Sequence, residues 1–98
     1  MFVELLGPVD AAVLRAIGEG ETRPHRIAER LRRDGRSADP LGTVYRVLER
    51  CQCDGLLRGE RDSFGRVFAL TADGRRRLRD RREFGASVAR LLATTPRP

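Results

Sequence analysis

The segment from Asp39 to Gly55 constrains the fold more than any other, because it carries both a start and a stop for one short helix. Asp39 suits an N-cap, where its carboxylate accepts free backbone N–H groups, and Pro40 suits the first helical position, where a missing donor costs nothing. Gly55 stands where a C′ glycine takes a left-handed conformation and closes a helix. At about 100° per residue the residues between separate into two faces. Leu41, Val44, Val47, Leu48 and Cys51 gather on one side, and Gly42, Thr43, Arg46, Arg50 and Cys53 on the other. An apolar back with an arginine front suits a helix that lies in a DNA major groove, its back anchored in a small core. The competing reading is an ordinary amphipathic surface helix with solvated arginines.

Composition weighs on that choice. Ninety-eight residues are expected to make one domain with a modest core. The net charge is +6, and all twenty basic residues are arginine. Arginine offers a planar fork that matches phosphate and guanine, although a GC-rich genome would give the same bias. No run approaches the roughly 18 apolar residues of a membrane span. The start, Met1-Phe-Val-Glu-Leu-Leu-Gly-Pro8, lacks the basic and long apolar regions of a secretion signal. Two cysteines at C-x-C spacing build no disulfide framework, so a reduced, cytoplasmic setting is expected.

Taken in order, residues 2–6 form a small apolar cluster before Gly7-Pro8. From Pro8 to about Gly18, Val9, Ala12, Val13, Ala16 and Ile17 recur at helical spacing, with Asp10 in the first turn where the helix dipole favours it. Thr22-Arg-Pro24 opens a second helix that runs to Arg33, with Ile27, Ala28 and Leu31 as its narrow apolar stripe. Residues 34–38 read as a turn, which makes the second and third helices a helix-turn-helix candidate. After Gly55 the period changes. Residues 56–61 and 66–70 read as two strands joined by a glycine-containing loop, with Phe68 and Leu70 on one face. A hairpin bearing Arg58, Arg61 and Arg66, directly after such a helix, reads as a wing able to reach the sugar–phosphate backbone or the minor groove. Thr71 is the N-cap candidate for a last helix over 72 to about 93. Phe84, Val88, Ala89, Leu91 and Leu92 make its second half apolar on a broad face, as expected of a contact with a second copy of the chain. The arginine run at 75–82 reads first as a solvated flank of that helix, paired with Asp80 and Glu83, and otherwise as a second DNA-facing strip.

The expected fold is therefore mainly α with a small β-hairpin: a winged helix-turn-helix with a three-helix core, a wing and a long C-terminal helix. Residues 1–71 form the expected DNA-binding domain, and 72–98 the dimerisation helix and a short tail. Gly42-Thr-Val-Tyr-Arg-Val-Leu-Glu-Arg50, Asp54-Gly-Leu-Leu57 and Gly65-Arg-Val-Phe-Ala-Leu-Thr-Ala-Asp-Gly-Arg75 resemble the PadR family of bacterial winged-helix transcriptional regulators. The resemblance covers about residues 8–78. It implies a cytoplasmic, nucleoid-associated homodimer that binds a palindromic operator and usually represses transcription, with helix 3 in the groove and the C-terminal helix in the dimer contact. Carried onto matching positions, it implies that Thr43 and Tyr45 meet DNA near the helix start and that Gly65 sits in the wing. The Thr43-Val-Tyr-Arg46 wording is also similar to ferric-uptake-type regulators, but a chain with one histidine cannot build their metal sites.

The site expectations follow. Arg46 and Arg50 are first choices for base or phosphate contacts, a good bidentate pair contributing on the order of 1–3 kcal/mol of discrimination. Arg58, Arg61 and Arg66 are expected on phosphates, in a field that Glu60 and Asp62 weaken. Cys51 and Cys53 stand about 200° apart on a helix and cannot share a metal or bond to each other. Cys51 reads as a core residue. Cys53 is the redox candidate, against the plainer reading of a surface thiol. His25 is read as a surface or packing residue. No cofactor, metal site or catalytic constellation is expected, and nothing supports a small-molecule inducer. The expectation is a sequence-specific DNA-binding regulator with double-stranded DNA as its partner. The alternatives are a winged-helix protein-interaction module and a non-specific architectural DNA binder.

Overall fold

The computed structural model describes residues 6–36 and 38–82. Three helices come first, α1 over Pro8–Gly18, α2 over Pro24–Arg33 and α3 over Pro40–Cys53. Strands β1, Leu57–Asp62, and β2, Gly65–Leu70, follow as an antiparallel hairpin. Residues 72–82 are helical and are labelled α4.

The three core helices share one punctuation. Each carries proline at its first position, Pro8, Pro24 and Pro40. Each closes on a glycine with positive φ, Gly20 at 106°, Gly35 at 66° and Gly55 at 75°. In each case the next residue's N–H reaches back to a carbonyl of the last turn: Glu21 to Ala16 at 2.9 Å, Arg36 to Leu31 at 3.0 Å and Leu56 to Cys51 at 2.8 Å. That is a Schellman closure, which a Cβ-bearing residue makes only under strain. Sequence punctuation thus sets the helix bounds.

The helices enclose one core. Val13, Leu14 and Ile17 of α1 meet Ile27 and Leu31 of α2, Val44, Val47, Leu48 and Cys51 of α3, and Leu56, Leu57 and Phe68 from the hairpin. Leu6, Val9, Ala12, Leu70 and Leu78 pack around its edge. Truncating a fully buried side chain such as Leu14 or Phe68 to alanine is expected to cost about 2–5 kcal/mol. Leu41, expected with the buried face of α3, is instead 44% exposed. It sits in the first turn, about 70° from the centre of the buried stripe, where the projection alone overstated its burial.

The hairpin is anchored from three directions. The Phe68 N–H donates to the Thr22 carbonyl at 3.0 Å, so the α1–α2 connection holds β2 by one backbone hydrogen bond. Thr71 donates its N–H to the Leu56 carbonyl at 3.1 Å and its hydroxyl to the Gly55 carbonyl at 2.6 Å. The same Thr71 oxygen accepts the Gly74 N–H at 3.1 Å, the expected N-cap. Gly74 lets α4 pass directly over this junction, since a Cβ there would lie 2.2 Å from the Leu56 carbonyl oxygen. Further along α4, Arg76 pairs with Asp73 at 2.9 Å and the Arg81 Nε–H donates to the Leu6 carbonyl at 3.0 Å. These partners, Asp73 and a backbone carbonyl, differ from the Asp80 and Glu83 expected for the arginine run, and Glu83 lies outside the described residues. The apolar second half expected for this helix, Phe84 to Leu92, and the cluster at 2–5 lie outside the described residues.

Candidate nucleic-acid interface

Helix α3 opens with the Gly42 N–H donating to Asp39 Oδ1 at 3.2 Å. With Val44, Val47, Leu48 and Cys51 buried, helical spacing places Gly42, Arg46, Glu49 and Cys53 along the opposite, outward stripe. Arg46 makes no ion pair among the described residues. Its Nη2 donates a long hydrogen bond, 3.4 Å, to Thr43 Oγ1. The two flanks of α3 differ. Thr43 and Arg50 lie on one, and there Arg50 Nη2 donates to Asp10 Oδ1 of α1 at 2.5 Å. This bond raises the guanidinium pKa further, so Arg50 enters the site with its charge already countered, although its side chain stays 56% exposed. Leu41, Tyr45 and Gln52 lie on the other flank, which faces the hairpin. There a Cβ on Gly59 would come within 3.0 Å of Gln52 Nε2. Tyr45 is 45% exposed beside the equally open Leu41, one turn away. Sequence reasoning did not select Leu41, and only its place at the stripe's margin marked it.

The hairpin's register sorts its arginines. Leu57 pairs with Leu70, Gly59 with Phe68 and Arg61 with Arg66. Alternation therefore puts Arg61 and Arg66 on the same face as the buried Leu57 and Phe68, beyond the edge of the core. Arg66 lies over the Phe68 ring at 5.0 Å, within cation–π range. Directly opposed like charges destabilise a strand pair, and neither arginine has an acidic partner among the described residues. On the other face Arg58 pairs with Glu60 at 3.2 Å. At the turn, Arg23 from the start of α2 grips Asp62 with both guanidinium nitrogens. The Arg23 hydrogen bond is the main cause holding the Asp62 carboxyl below the usual carboxylate range, and the Phe64 N–H at 2.8 Å adds to it. The two acids expected to weaken the field are thus neutralised by Arg58 and Arg23. Arg23 is a participant that sequence reasoning missed, because nothing local marks a contact across thirty-nine residues.

The remaining candidates separate cleanly. Cys51 is buried, and burial pushes its thiol up to about 11, so it is a core side chain and not a reactive one. Cys53 is exposed on the outward stripe, and both thiols are free. His25 is exposed in the first turn of α2. Among the described residues no three His, Cys, Asp or Glu side chains cluster to hold a metal, and no helix is long and apolar enough to cross a membrane.

The fold that holds this helix beside the hairpin has counterparts among solved structures. A PadR family transcription regulator from Clostridium difficile superposes with a TM-score of 0.73 at 19% identity, over 89% of this chain and 96% of its own. The fold is that of a PadR-like winged-helix regulator. PcaV, a transcriptional regulator from Streptomyces coelicolor solved with its natural ligand, shares this winged helix with a TM-score of 0.66 at 26% identity, over 98% of this chain and 67% of its own. Bordetella bronchiseptica BpsR, whose DNA binding is regulated by 6-hydroxynicotinic acid, gives 0.68 at 21% identity, over 95% of this chain and 65% of its own. No family model and no curated protein matches the chain. In winged-helix terms α3 stands at the recognition-helix position and β1–β2 at that of the wing.

Proposed function

We propose that this winged helix is a DNA-binding transcriptional regulator and not an enzyme, with α3 in the major groove and the wing on the adjacent backbone. The observation that carries the reading is the company its arginines keep. Arg46 on α3 and Arg61 and Arg66 on the wing stand without acidic partners among the described residues, while neighbouring arginines are paired. Three exposed, uncompensated guanidinium groups on two adjoining elements suit the phosphates and base edges of a duplex. Thr43, Tyr45 and Arg46 would address base edges near the start of α3, and Arg61 and Arg66 the phosphates. Arg50 and Arg58, already countered by Asp10 and Glu60, would touch phosphate at the margins.

The finer reading is a cytoplasmic bacterial repressor. It would dimerise through 72–98, apart from a DNA-binding domain over 1–71, and bind a near-palindromic, nucleoid-borne operator. A two-fold dimer would set its recognition helices about 34 Å apart, one turn of DNA. The ligand-regulated DNA binding of BpsR and the ligand bound to PcaV belong to those proteins, and a similar inducer here has only that likeness behind it. Selection of bound sites from random duplex DNA by the purified chain tests the whole reading. Enrichment of a motif with two half-sites one turn apart is expected. Salt-sensitive binding without a motif would point to an architectural binder, and no binding at all to a protein-interaction module.

A further inference from the structure

Phe64 has no role in the recognition scheme above, yet it is the most exposed large apolar side chain among the described residues, at 85%. It sits in the two-residue turn between Asp62 and Gly65, at the tip of the wing. The tip is braced. The Phe64 N–H donates to Asp62 Oδ1 at 2.8 Å, the same carboxylate is gripped by Arg23, and the Arg23 guanidinium stands 5.6 Å from the Phe64 ring centre. An aromatic ring projecting into water from a braced turn gains from burial against a partner. Immediately behind it Arg61 and Arg66 face each other as an unneutralised pair.

Apolar ring in front, two cations behind: this order matches one occupant best. The minor groove is about 6 Å wide, lined by phosphates on both sides and floored by base edges. Arginines flanking it neutralise the two strands, and an apolar side chain between them partly unstacks a base step and kinks the duplex. We propose that Phe64 is a wedge that the wing inserts into the minor groove beside the α3 contact, at a deformable pyrimidine–purine step. The opposed arginines relieve their mutual repulsion on the phosphates, and the Arg23–Asp62 brace keeps the ring aimed. Specificity then arises at positions where no hydrogen bond is made, because a stiff A-tract resists the kink that a TA step accepts. The inference rests on the DNA-binding reading and adds to it a residue, a groove and a DNA deformation.

The test uses the full chain and the tightest duplex recovered from random-sequence selection. End-to-end energy transfer reads the bend, and 2-aminopurine placed at successive steps reads unstacking. Wild type is expected to shorten the end-to-end distance and brighten one step outside the α3 footprint. Phe64→Ser is expected to lose both signals and bind roughly tenfold more weakly, with an unchanged salt slope because Arg61 and Arg66 remain. Phe64→Leu, still an apolar wedge, is expected to keep part of the bend. Replacing the brightened step by an A-tract is expected to weaken wild type and not Phe64→Ser. Equal bend and affinity in wild type and Phe64→Ser overturns the wedge while leaving the regulator reading intact. Loss of self-association in Phe64→Ser, with DNA bending retained, overturns it in favour of a contact between copies. A selection that enriches no duplex removes the regulator reading, and the wedge with it. Because Phe64 lies outside the core, an unchanged melting temperature is expected for both variants.

Discussion

Helix α3 and the wing both present arginine, but in different company. On α3 one guanidinium, Arg46, makes no ion pair among the described residues, with Thr43 and the exposed Glu49 each one turn away, while Arg50 is bonded to Asp10. On the wing two open guanidinium groups, Arg61 and Arg66, repel each other, and the nearby acids are held by Arg58 and Arg23. A mixed surface of cation, carboxylate, hydroxyls and apolar carbon can distinguish base edges, whose donors, acceptors and methyl groups differ along the major groove. A doubled cation distinguishes nothing along a uniform phosphate backbone, but it binds it. Under the proposed function the two regions of the winged helix would divide the work into reading and holding.

The largest expected effect follows from removing the reader. Arg46→Ala should weaken binding to a selected duplex by about 1–3 kcal/mol, roughly 5- to 150-fold, with little change on random DNA. Titration of both duplexes at one salt concentration measures the ratio. Equal loss on both would move Arg46 to the phosphates and erase the contrast with the wing. The wing substitutions should show the opposite pattern. Arg61→Ala and Arg66→Ala are expected to weaken selected and random duplexes alike, each flattening the slope of log K against log salt by about 0.9. Arg61→Ala should also raise stability by a few tenths of a kcal/mol, because the opposed like charges are relieved, whereas in Arg66→Ala the lost contact with the Phe68 ring offsets that gain. Weaker binding together with a higher melting temperature is hard to produce by misfolding, so the pair of measurements isolates the wing.

A gentler probe needs no substitution in the interface. Cys53 lies on the outward stripe of α3, whereas Cys51 is buried with its thiol pushed up to about 11. A thiol reagent near pH 7.5 should modify one cysteine of the two, and bound duplex should slow that modification several-fold. Unaltered labelling in the complex would take the outer stripe of α3 out of the groove. The wing tip offers a matching control in pH. The Asp62 carboxyl is held below its ordinary value by Arg23, so the brace is fully present above the unfolded aspartate value, about 3.9, and is lost as pH falls through the lowered folded one. Binding titrated from pH 5 to 8 should therefore show no step from the wing.

Local signals made much of this legible. Proline at the first helical position and glycine at C′ are features of single residues, so the bounds of α1, α2 and α3 could be read before any packing was known. Period-two alternation likewise marked Phe68 as the inward residue of β2. What escaped depends on which elements meet. Charge counts showed that Glu60 and Asp62 oppose the wing arginines, but only the fold reveals that Arg23, thirty-nine residues earlier, takes up Asp62. Leu41 shows the same limit from the other side. A helical projection ranks residues by angle, and burial also requires a neighbour at that height along the axis.

The smallest effect is expected at Arg50, where sequence and structure pull apart. Its place on the front of α3 makes it a DNA candidate, while its bond to Asp10 makes it a strut between α3 and α1. An ion pair this exposed contributes at most about 1 kcal/mol to folding, so stability alone cannot separate the roles. Binding can, because Asp10 and a phosphate would compete for one guanidinium. Asp10→Asn removes the competitor, and binding should tighten up to about threefold at low salt, the gain fading as salt rises. In an Arg50→Ala background the same change should give nothing, since no guanidinium remains to be released. A gain from Asp10→Asn that persists without Arg50 would mean that a carboxylate had simply been taken from near the duplex. No gain in either background would make Arg50 a strut alone. The reading surface of α3 would then rest on Arg46 with Thr43, Tyr45 and Glu49, and the contrast with the wing would be sharper still.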